Sequence, residues 1–212
     1  MHCHSFTTRL GAAAIFAAAV IALPARAATD TSRIVSIGGA VTEILYALGH
    51  DKEIVGIDTT SLYPAQAIKE KPNVGYLRQL SAEGVLGLNP SVMIAIAGAG
   101  PKETMNVLEA AKVPLIVIPD SYTEQGIVEK IALIGKVVGA NERAACLTAQ
   151  VQDDIAALDK LRARIKTPKR VLFMLSFING RVMAAGRGTA ADGIIKIAGA
   201  VMCSASTSPT SR

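Results

Sequence analysis

Apolar positions along the first two thirds of the chain alternate between two patterns. Short runs of branched residues predict strands at residues 33–37, 54–57, 92–96 and 113–118. Apolar residues at helical spacing predict helices at 42–48, 101–112 and 125–138, and Ser81 is placed to cap a further helix that ends before Pro90. Strands that alternate with helices predict an α/β lobe with a largely parallel sheet.

A longer helical pattern follows at residues 141–165, which contain neither proline nor glycine. At 1.5 Å per residue this helix would be roughly 35–40 Å long, which suits a strut between two lobes. Residues 170–177 then predict a strand, Asn179-Gly180 a hairpin turn, and residues 181–183 the returning strand. A helix is predicted at 193–198, so a second α/β unit begins after the long helix.

The first 27 residues have the pattern of a secretory signal peptide. Arg9 precedes an apolar run at 10–23, and small residues at 24–27 predict cleavage after Ala27. The run is shorter than the ~20 residues of a spanning helix, so an uncleaved anchor is the less favoured alternative. No cysteine follows the run, and the mature chain is expected to be a soluble periplasmic protein.

Composition narrows the function classes. The 22 basic and 17 acidic residues give a formal net charge of +5, and the basic residues are scattered, so no nucleic-acid partner is predicted. Only His50 lies beyond the signal peptide, which excludes a multi-histidine zinc site and leaves one histidine for any hydrolytic triad. Cys146 and Met174 lie on core-like patterns and are expected to be buried. A disulfide between Cys146 and Cys203 is permitted in the periplasm but not implied.

The candidate chemistry lies in NVGYLRQLSAEG, where Tyr76 precedes Arg78 by two residues. A phenolate binds ferric iron, and a nearby cation favours the phenolate over the phenol. On an extended segment the two side chains would share a face. The alternative is a loop tyrosine packed on the lobe surface and an arginine in solvent.

Four segments give a resemblance to a known family: RIVSIGGAVTEILYALG, VGIDTTSLYP, NVGYLRQLSAEGVLGLNP and MAAGRGTAADGIIKIAGA. The chain resembles the periplasmic haem-binding proteins of bacterial haem-uptake ABC transporters, within the iron-siderophore and cobalamin binding class. The resemblance implies an α/β fold of two Rossmann-like lobes joined by a single long helix, with the second lobe incomplete here.

The resemblance also implies roles for individual residues. Tyr76 corresponds to the axial ligand of ferric haem b (hemin), Arg78 to its supporting residue, and Glu83 to an acid that pairs with a permease arginine. Tyr63 would flank the haem plane, although packing within its loop is an equal alternative. Arg187, in a Gly-Arg-Gly loop before a helix, would reach a haem propionate from the second lobe. Glu83 also suits the first turn of a helix for dipole reasons alone.

The predicted organisation is a signal peptide at 1–27, an N-terminal α/β lobe at 28–139, an inter-lobe helix at 140–166, a partial C-terminal lobe at 167–201 and an aberrant polar tail at 202–212. The family continues well beyond the position of Ala200, so a frameshift or premature stop is the simplest account of the tail. A partial lobe is expected to leave an apolar patch exposed.

The predicted function is to bind and deliver haem without catalysing a reaction. A monomer would receive haem from an outer-membrane receptor system and pass it to an inner-membrane ABC permease. Three alternatives stay open: a cobalamin or ferric-siderophore binder of the same class, a non-functional fragment, and, least favoured, an exported hydrolase that uses His50.

Overall fold

The computed structural model describes residues 29–203, so the predicted signal peptide and most of the predicted tail lie outside the described residues. The strands are β1 (Ile34–Ile37), β2 (Ile54–Ile57), β3 (Gly75–Tyr76), β4 (Gln79–Leu80), β5 (Val92–Ile96), β6 (Leu115–Ile118), β7 (Arg170–Val171), β8 (Met174–Ile178), β9 (Arg181–Ala184) and β10 (Val201–Met202). The helices are α1 (Gly39–Ala47), α2 (Ala67–Glu70), α3 (Ala82–Leu86), α4 (Lys102–Ala110), α5 (Glu124–Val137), α6 (Asn141–Arg162) and α7 (Ala190–Ile197).

The first lobe is built on a four-stranded sheet in the order β2-β1-β5-β6. All three strand pairs are parallel, as the alternation of strands and helices predicts. The predicted α/β fold is therefore confirmed. Since parallel strands end at the same edge, the loops after these four strands all lie along one edge of the sheet.

Apolar residues cover both faces of this sheet, which explains its continuous runs of branched residues. In β5, Ile94 and Ile96 join a buried cluster with residues of α1, α5 and α6. Met93 and Ala95, which point to the other face, join a second cluster with Val85 of α3 and residues of α4. The first lobe thus has a complete hydrophobic core on each side of its sheet.

The long helix α6 begins against the first lobe and ends beside the second. A Cβ at Gly135 of α5 would lie 2.3 Å from the Cβ of Ala144, so glycine allows α5 and α6 to pack closely. In the last turn of α6, Arg162 donates a 3.0 Å hydrogen bond to the carbonyl oxygen of Ile197 in α7. The helix ends at Arg162, three residues before the predicted end.

The second lobe contains two small sheets. β7 pairs with β10 in parallel, and β8 and β9 form an antiparallel hairpin. Asn179 and Gly180 have φ values of 52° and 74°, as a type I′ turn requires, which confirms the predicted hairpin. The predicted continuous strand at 170–177 is wrong, because it is divided between β7 and β8. Met202, the first residue of the predicted tail, is buried and pairs with Val171.

The second lobe buries few apolar side chains and exposes many. Among the described residues, its buried cluster consists of Ala185, Ile195 and Met202. The exposed apolar residues are Leu172, Phe173, Met174, Leu175, Phe177, Ile178, Val182, Met183, Ile194 and Val201. The predicted exposed patch is confirmed. Met174 and Cys146 are exposed, so the expectation that they are buried is wrong.

Four short elements were not predicted: α2, β3, β4 and β10. Each spans only two or four residues, too few for a periodic pattern to appear. Helices α1 and α7 both begin three residues before their predicted starts at 42 and 193. No helix between residues 29 and 203 combines the length and apolar character of a membrane span.

Candidate functional site

The candidate site lies at the edge of the first sheet where the four parallel strands end. Ligands of open α/β sheets bind in the crevice outside this edge. The loops that follow β2, β5 and β6 there comprise residues 58–66, 97–101 and 119–123. They carry Tyr63 and Tyr122, and the β3–β4 hairpin that joins them carries Tyr76 and Arg78.

A buried carboxylate fixes the loop after β2. Asp58 is fully buried and accepts hydrogen bonds from the backbone N–H of Gly38 at 2.8 Å and of Thr60 at 2.9 Å. It also accepts bonds from the hydroxyls of Thr60 and Ser61 at 2.6 Å and 3.0 Å. Because Gly38 follows β1 and the others follow β2, Asp58 ties the ends of two neighbouring strands together.

The hairpin β3–β4 is held by backbone hydrogen bonds on two sides. Thr59 N–H donates to the carbonyl oxygen of Gly75 at 2.9 Å, which joins the hairpin to the loop after β2. Gly100, after β5, donates to Leu77 and accepts from Leu80, both at 2.9 Å. These bonds fix the backbone on which Tyr76 is mounted, while the Tyr76 side chain is 46% exposed.

Glycine is required where the hairpin begins. Gly75 has a φ of +107°, and a Cβ there would lie 3.0 Å from the carbonyl oxygen of Gln79 on the opposite strand. Tyr76 pairs with Gln79, and Leu80 is buried beneath the hairpin. The sequence Gly-Tyr-Leu-Arg-Gln-Leu therefore turns tightly and presents the tyrosine at the edge of the sheet.

Arg78 is not on an extended segment, so that part of the prediction is wrong. Leu77 and Arg78 form the turn between β3 and β4, and Arg78 is exposed. The hydrogen bonds within residues 29–203 include none between the guanidinium of Arg78 and the hydroxyl of Tyr76. The charge of Arg78 instead acts on Tyr122, where it opposes other groups that raise the pKa of that phenol.

Tyr122 was missed by the sequence prediction. The negative charge of Asp120 raises its pKa, and partial burial adds to this. Asp120 is itself held by the Nζ of Lys130 in α5 at 2.6 Å. Its position in the sequence could have indicated it, because Tyr122 follows the parallel strand β6 by four residues, in a loop at the same edge as Tyr76.

The other predicted site residues are spread over several elements. Tyr63 is exposed in the loop after β2. Glu83 is exposed in the first turn of α3, whose N-cap Ser81 accepts a 3.0 Å hydrogen bond from Gly84 N–H. Arg187 is exposed in the loop before α7, in the second lobe. Within the described residues, no group of three or more His, Cys, Asp or Glu side chains could hold a metal ion.

The loop around Arg187 is ordered by Asp192 at the start of α7. Asp192 is buried and accepts hydrogen bonds at 2.8 Å from Lys196 Nζ and from Gly188 N–H. Lys196 and Gly188, with a smaller effect from the charge of Arg187, hold the pKa of Asp192 below its ordinary value. Arg187 therefore lies on a loop whose backbone is fixed from within the second lobe.

One side chain joins the two lobes at the end of α6. Arg162, at the end of α6, contacts Glu124 at the start of α5 at 2.5 Å and also pairs with Asp159. Its bond to the carbonyl of Ile197 extends this contact to α7. The last turn of α6 thus touches both lobes.

Two α/β lobes joined by a long helix, with aromatic residues on the ligand edge of the first sheet, define a two-lobed binding protein. Residues 34–212 match the family described as periplasmic binding protein, and the chain belongs to that family.

Solved structures share this fold. The periplasmic haem-binding protein RhuT of Roseiflexus sp. RS-1 is 41% identical with a TM-score of 0.75, over 81% of this chain and 65% of RhuT. The periplasmic haem-binding protein BhuT, in complex with two haems, is 35% identical with a TM-score of 0.75, over 80% of this chain and 66% of BhuT.

A curated relative points to another ligand. The vitamin B12-binding protein of Yersinia pestis is 29% identical over 114 residues, which are 54% of this chain and 39% of that protein. The chain thus spans about two thirds of the solved relatives and about two fifths of this curated one.

Proposed function

We propose that this chain is an extracytoplasmic substrate-binding protein that binds ferric haem through the phenolate of Tyr76 and delivers it to an inner-membrane ABC permease. The observation that carries the proposal is the way the fold holds the backbone of Tyr76. An exposed tyrosine sits on a two-residue strand that is hydrogen-bonded to the loops after β2 and β5. A metal ligand on a fixed backbone needs little ordering when the substrate binds.

The chemistry of the substrate suits a tyrosine. Ferric haem reaches the protein with axial positions that a protein donor can fill, and a phenolate oxygen is an attested haem ligand. Tyr76 would bind the iron, and the rest of the site would bind the ring and its carboxylates. No covalent bond of the substrate is made or broken.

Three further residues have proposed contacts. Arg78 adds positive charge at the hairpin turn, where it would favour a phenolate at Tyr76 or pair with a propionate. Tyr63, exposed after β2, would flank the haem plane. Arg187 would reach a propionate from the second lobe, so that ligand contacts come from both sides of the cleft.

The organisation predicted from the sequence is part of this proposal. The signal at 1–27 would export the chain, the lobe at 28–139 would carry the iron ligand, and the helix at 140–166 would set the distance between lobes. The unit at 167–201 would supply the opposing contacts of a monomeric protein. An outer-membrane receptor system would supply haem upstream.

Glu83 is proposed to contact the permease. Its carboxylate is exposed in the first turn of α3, three residues after the hairpin that carries Tyr76. In membranes that contain the cognate permease, Glu83→Ala is expected to lower stimulation of ATP hydrolysis by the haem-loaded protein severalfold, because a charge pair at the interface is lost. Glu103→Ala, at an exposed acid in the first turn of α4, is the matched control. Equal stimulation by both variants would contradict the docking role.

A cobalamin binder is the second candidate, and the similarity to the Yersinia pestis protein favours it. A hydrolase has less support. His50 lies beyond the C-terminal end of α1, at the opposite edge of the sheet from the hairpin, and its nearest ionic partner is Glu53 at 3.7 Å. That histidine is remote from every other candidate site residue.

Parallel titrations of the full chain with hemin and with cyanocobalamin separate the two binding functions. We expect hemin to bind with the absorption spectrum of a five-coordinate, high-spin ferric tyrosinate, while cyanocobalamin produces no saturable change. Saturable cobalamin binding without hemin binding would contradict the haem proposal and support cobalamin binding instead. A hemin complex that lacks the tyrosinate spectrum would support haem as the substrate and contradict Tyr76 as the iron ligand.

A further inference from the structure

A second tyrosine lies at the ligand edge of the first sheet. Tyr122 belongs to the loop after β6, and β6 is the neighbour of β5, whose own loop is hydrogen-bonded to the hairpin of Tyr76. The Tyr122 side chain is 40% exposed, close to the 46% of Tyr76. The Tyr122 side chain is therefore partly packed against the protein and partly open to a ligand.

The second lobe touches the first at this residue. A Cβ at Gly193 of α7 would lie 2.5 Å from the carbonyl oxygen and 2.7 Å from the Cβ of Tyr122. Any larger residue at position 193 would push α7 away from the loop after β6. The backbone and Cβ of Tyr122 therefore lie where the lobe of Tyr76 meets the lobe of Arg187.

The loop that carries Tyr122 is held to α5 by two contacts. Asp120 pairs with Lys130 of α5 at 2.6 Å, and Thr123 caps α5 by accepting a 3.0 Å hydrogen bond from Gly126 N–H. Both contacts anchor the loop to the first lobe. The ring of Tyr122 is thus mounted on fixed backbone, as the ring of Tyr76 is.

We propose that Tyr122 forms the floor of the binding cleft and packs its ring against a planar, carboxylate-bearing tetrapyrrole, while Tyr76 alone binds the metal. This inference rests on the proposed haem-binding function and adds a contact that does not involve iron. A ring on the cleft floor contacts any porphyrin, with or without a metal.

The surroundings of Tyr122 favour this division. The negative charge of Asp120 and partial burial raise the pKa of Tyr122, and the charge of Arg78 only partly opposes them. Loss of the phenol proton is therefore disfavoured at Tyr122, which makes it a poorer ligand for ferric iron and leaves a neutral aromatic surface. Arg78, exposed at the hairpin turn, is placed for a carboxylate of the same ligand.

The test compares hemin with metal-free protoporphyrin IX as probes of the full chain. Tyr122→Ala is expected to weaken the binding of both porphyrins by about fivefold to tenfold, as the loss of an aromatic contact does. The tyrosinate band of the hemin complex should remain. Tyr122→Phe, which keeps the ring, should bind both probes within about threefold of the unchanged protein.

The controls separate a lost contact from a damaged fold. Both variants keep the Cβ that packs on Gly193, and Tyr46→Phe provides a matched change in α1, far from the ligand edge. Unchanged affinity of Tyr122→Ala for both probes would overturn this inference while leaving the haem function intact. Loss of the tyrosinate band in Tyr122→Phe would overturn it by making Tyr122 the ligand. A wild-type chain that binds neither porphyrin would reject the proposed function and this inference together.

Discussion

Replacing Tyr76 with phenylalanine is expected to remove the tyrosinate absorption band of the hemin complex and to weaken hemin binding by more than about 100-fold. Mutation of a residue that only orients a metal ligand typically weakens metal binding by about 10–100-fold, so loss of the ligand itself should exceed that range. The change deletes one oxygen from a 46% exposed side chain and leaves the hairpin hydrogen bonds intact. Absorption titration and thermal unfolding of the same samples measure both effects.

The chain contains four tyrosines, which supply matched controls. Tyr46→Phe removes a buried hydroxyl that has no hydrogen-bond partner among the described residues, and it should bind hemin normally. Tyr63→Phe keeps a ring at its proposed place beside the haem plane and should retain the band. If the band survives in Tyr76→Phe and is lost in another of the four variants, the ligand has been assigned to the wrong tyrosine.

Asp58→Asn is expected to reduce the free energy of unfolding by about 3 kcal/mol. Asp58 is fully buried and accepts four hydrogen bonds, two of them from backbone N–H groups. Asparagine carries an NH2 group in place of one carboxylate oxygen. At least one N–H or O–H donor that now bonds to Asp58 would then face another donor. Because the loop after β2 also holds the hairpin through Thr59, hemin binding should weaken as well.

Urea unfolding followed by far-UV circular dichroism measures this loss. Asp154→Asn, the same substitution at an exposed position of α6, should change the free energy of unfolding by less than about 0.5 kcal/mol. A loss of less than about 1 kcal/mol in Asp58→Asn would show that the carboxylate is not what joins the ends of β1 and β2.

The hydrophobic pattern predicts the first lobe because both faces of its sheet are buried. A strand such as β5 (VMIAI) is apolar at every position because both of its faces are covered. The helices between the strands are recognised by apolar residues at helical spacing. The type I′ turn at Asn179-Gly180 is predicted because only a few residue pairs adopt positive φ at both positions. These features are local, so a single sequence is enough to recognise them.

The site geometry depends on contacts between segments that are distant in sequence. Leu77 and Gly100 are brought together only by the fold, and their hydrogen bond shapes the hairpin that makes Arg78 a turn residue. Tyr122 carries no motif of its own, and its place near Gly193 depends on how α6 and α7 pack. The sequence therefore marks Tyr76 as a candidate ligand, whereas the contacts around its hairpin follow only from the fold.

The exposed apolar surface of the second lobe bears on how the protein is handled. The β8–β9 hairpin exposes Phe177 and Ile178 by more than 60% each, and soluble proteins rarely leave such patches open. Hemin binds nonspecifically to apolar surface, so a titration alone would count such sites. Binding at the proposed site is distinguished from them by a defined stoichiometry and by the tyrosinate band.

The most direct test of the central claim is a crystal structure of the chain with ferric haem bound. We expect the iron to be bonded to the Oη of Tyr76, with the porphyrin in the cleft between the β3–β4 hairpin and the loop before α7. Iron bonded to another side chain, or haem seated only on the exposed hairpin of the second lobe, would contradict the account.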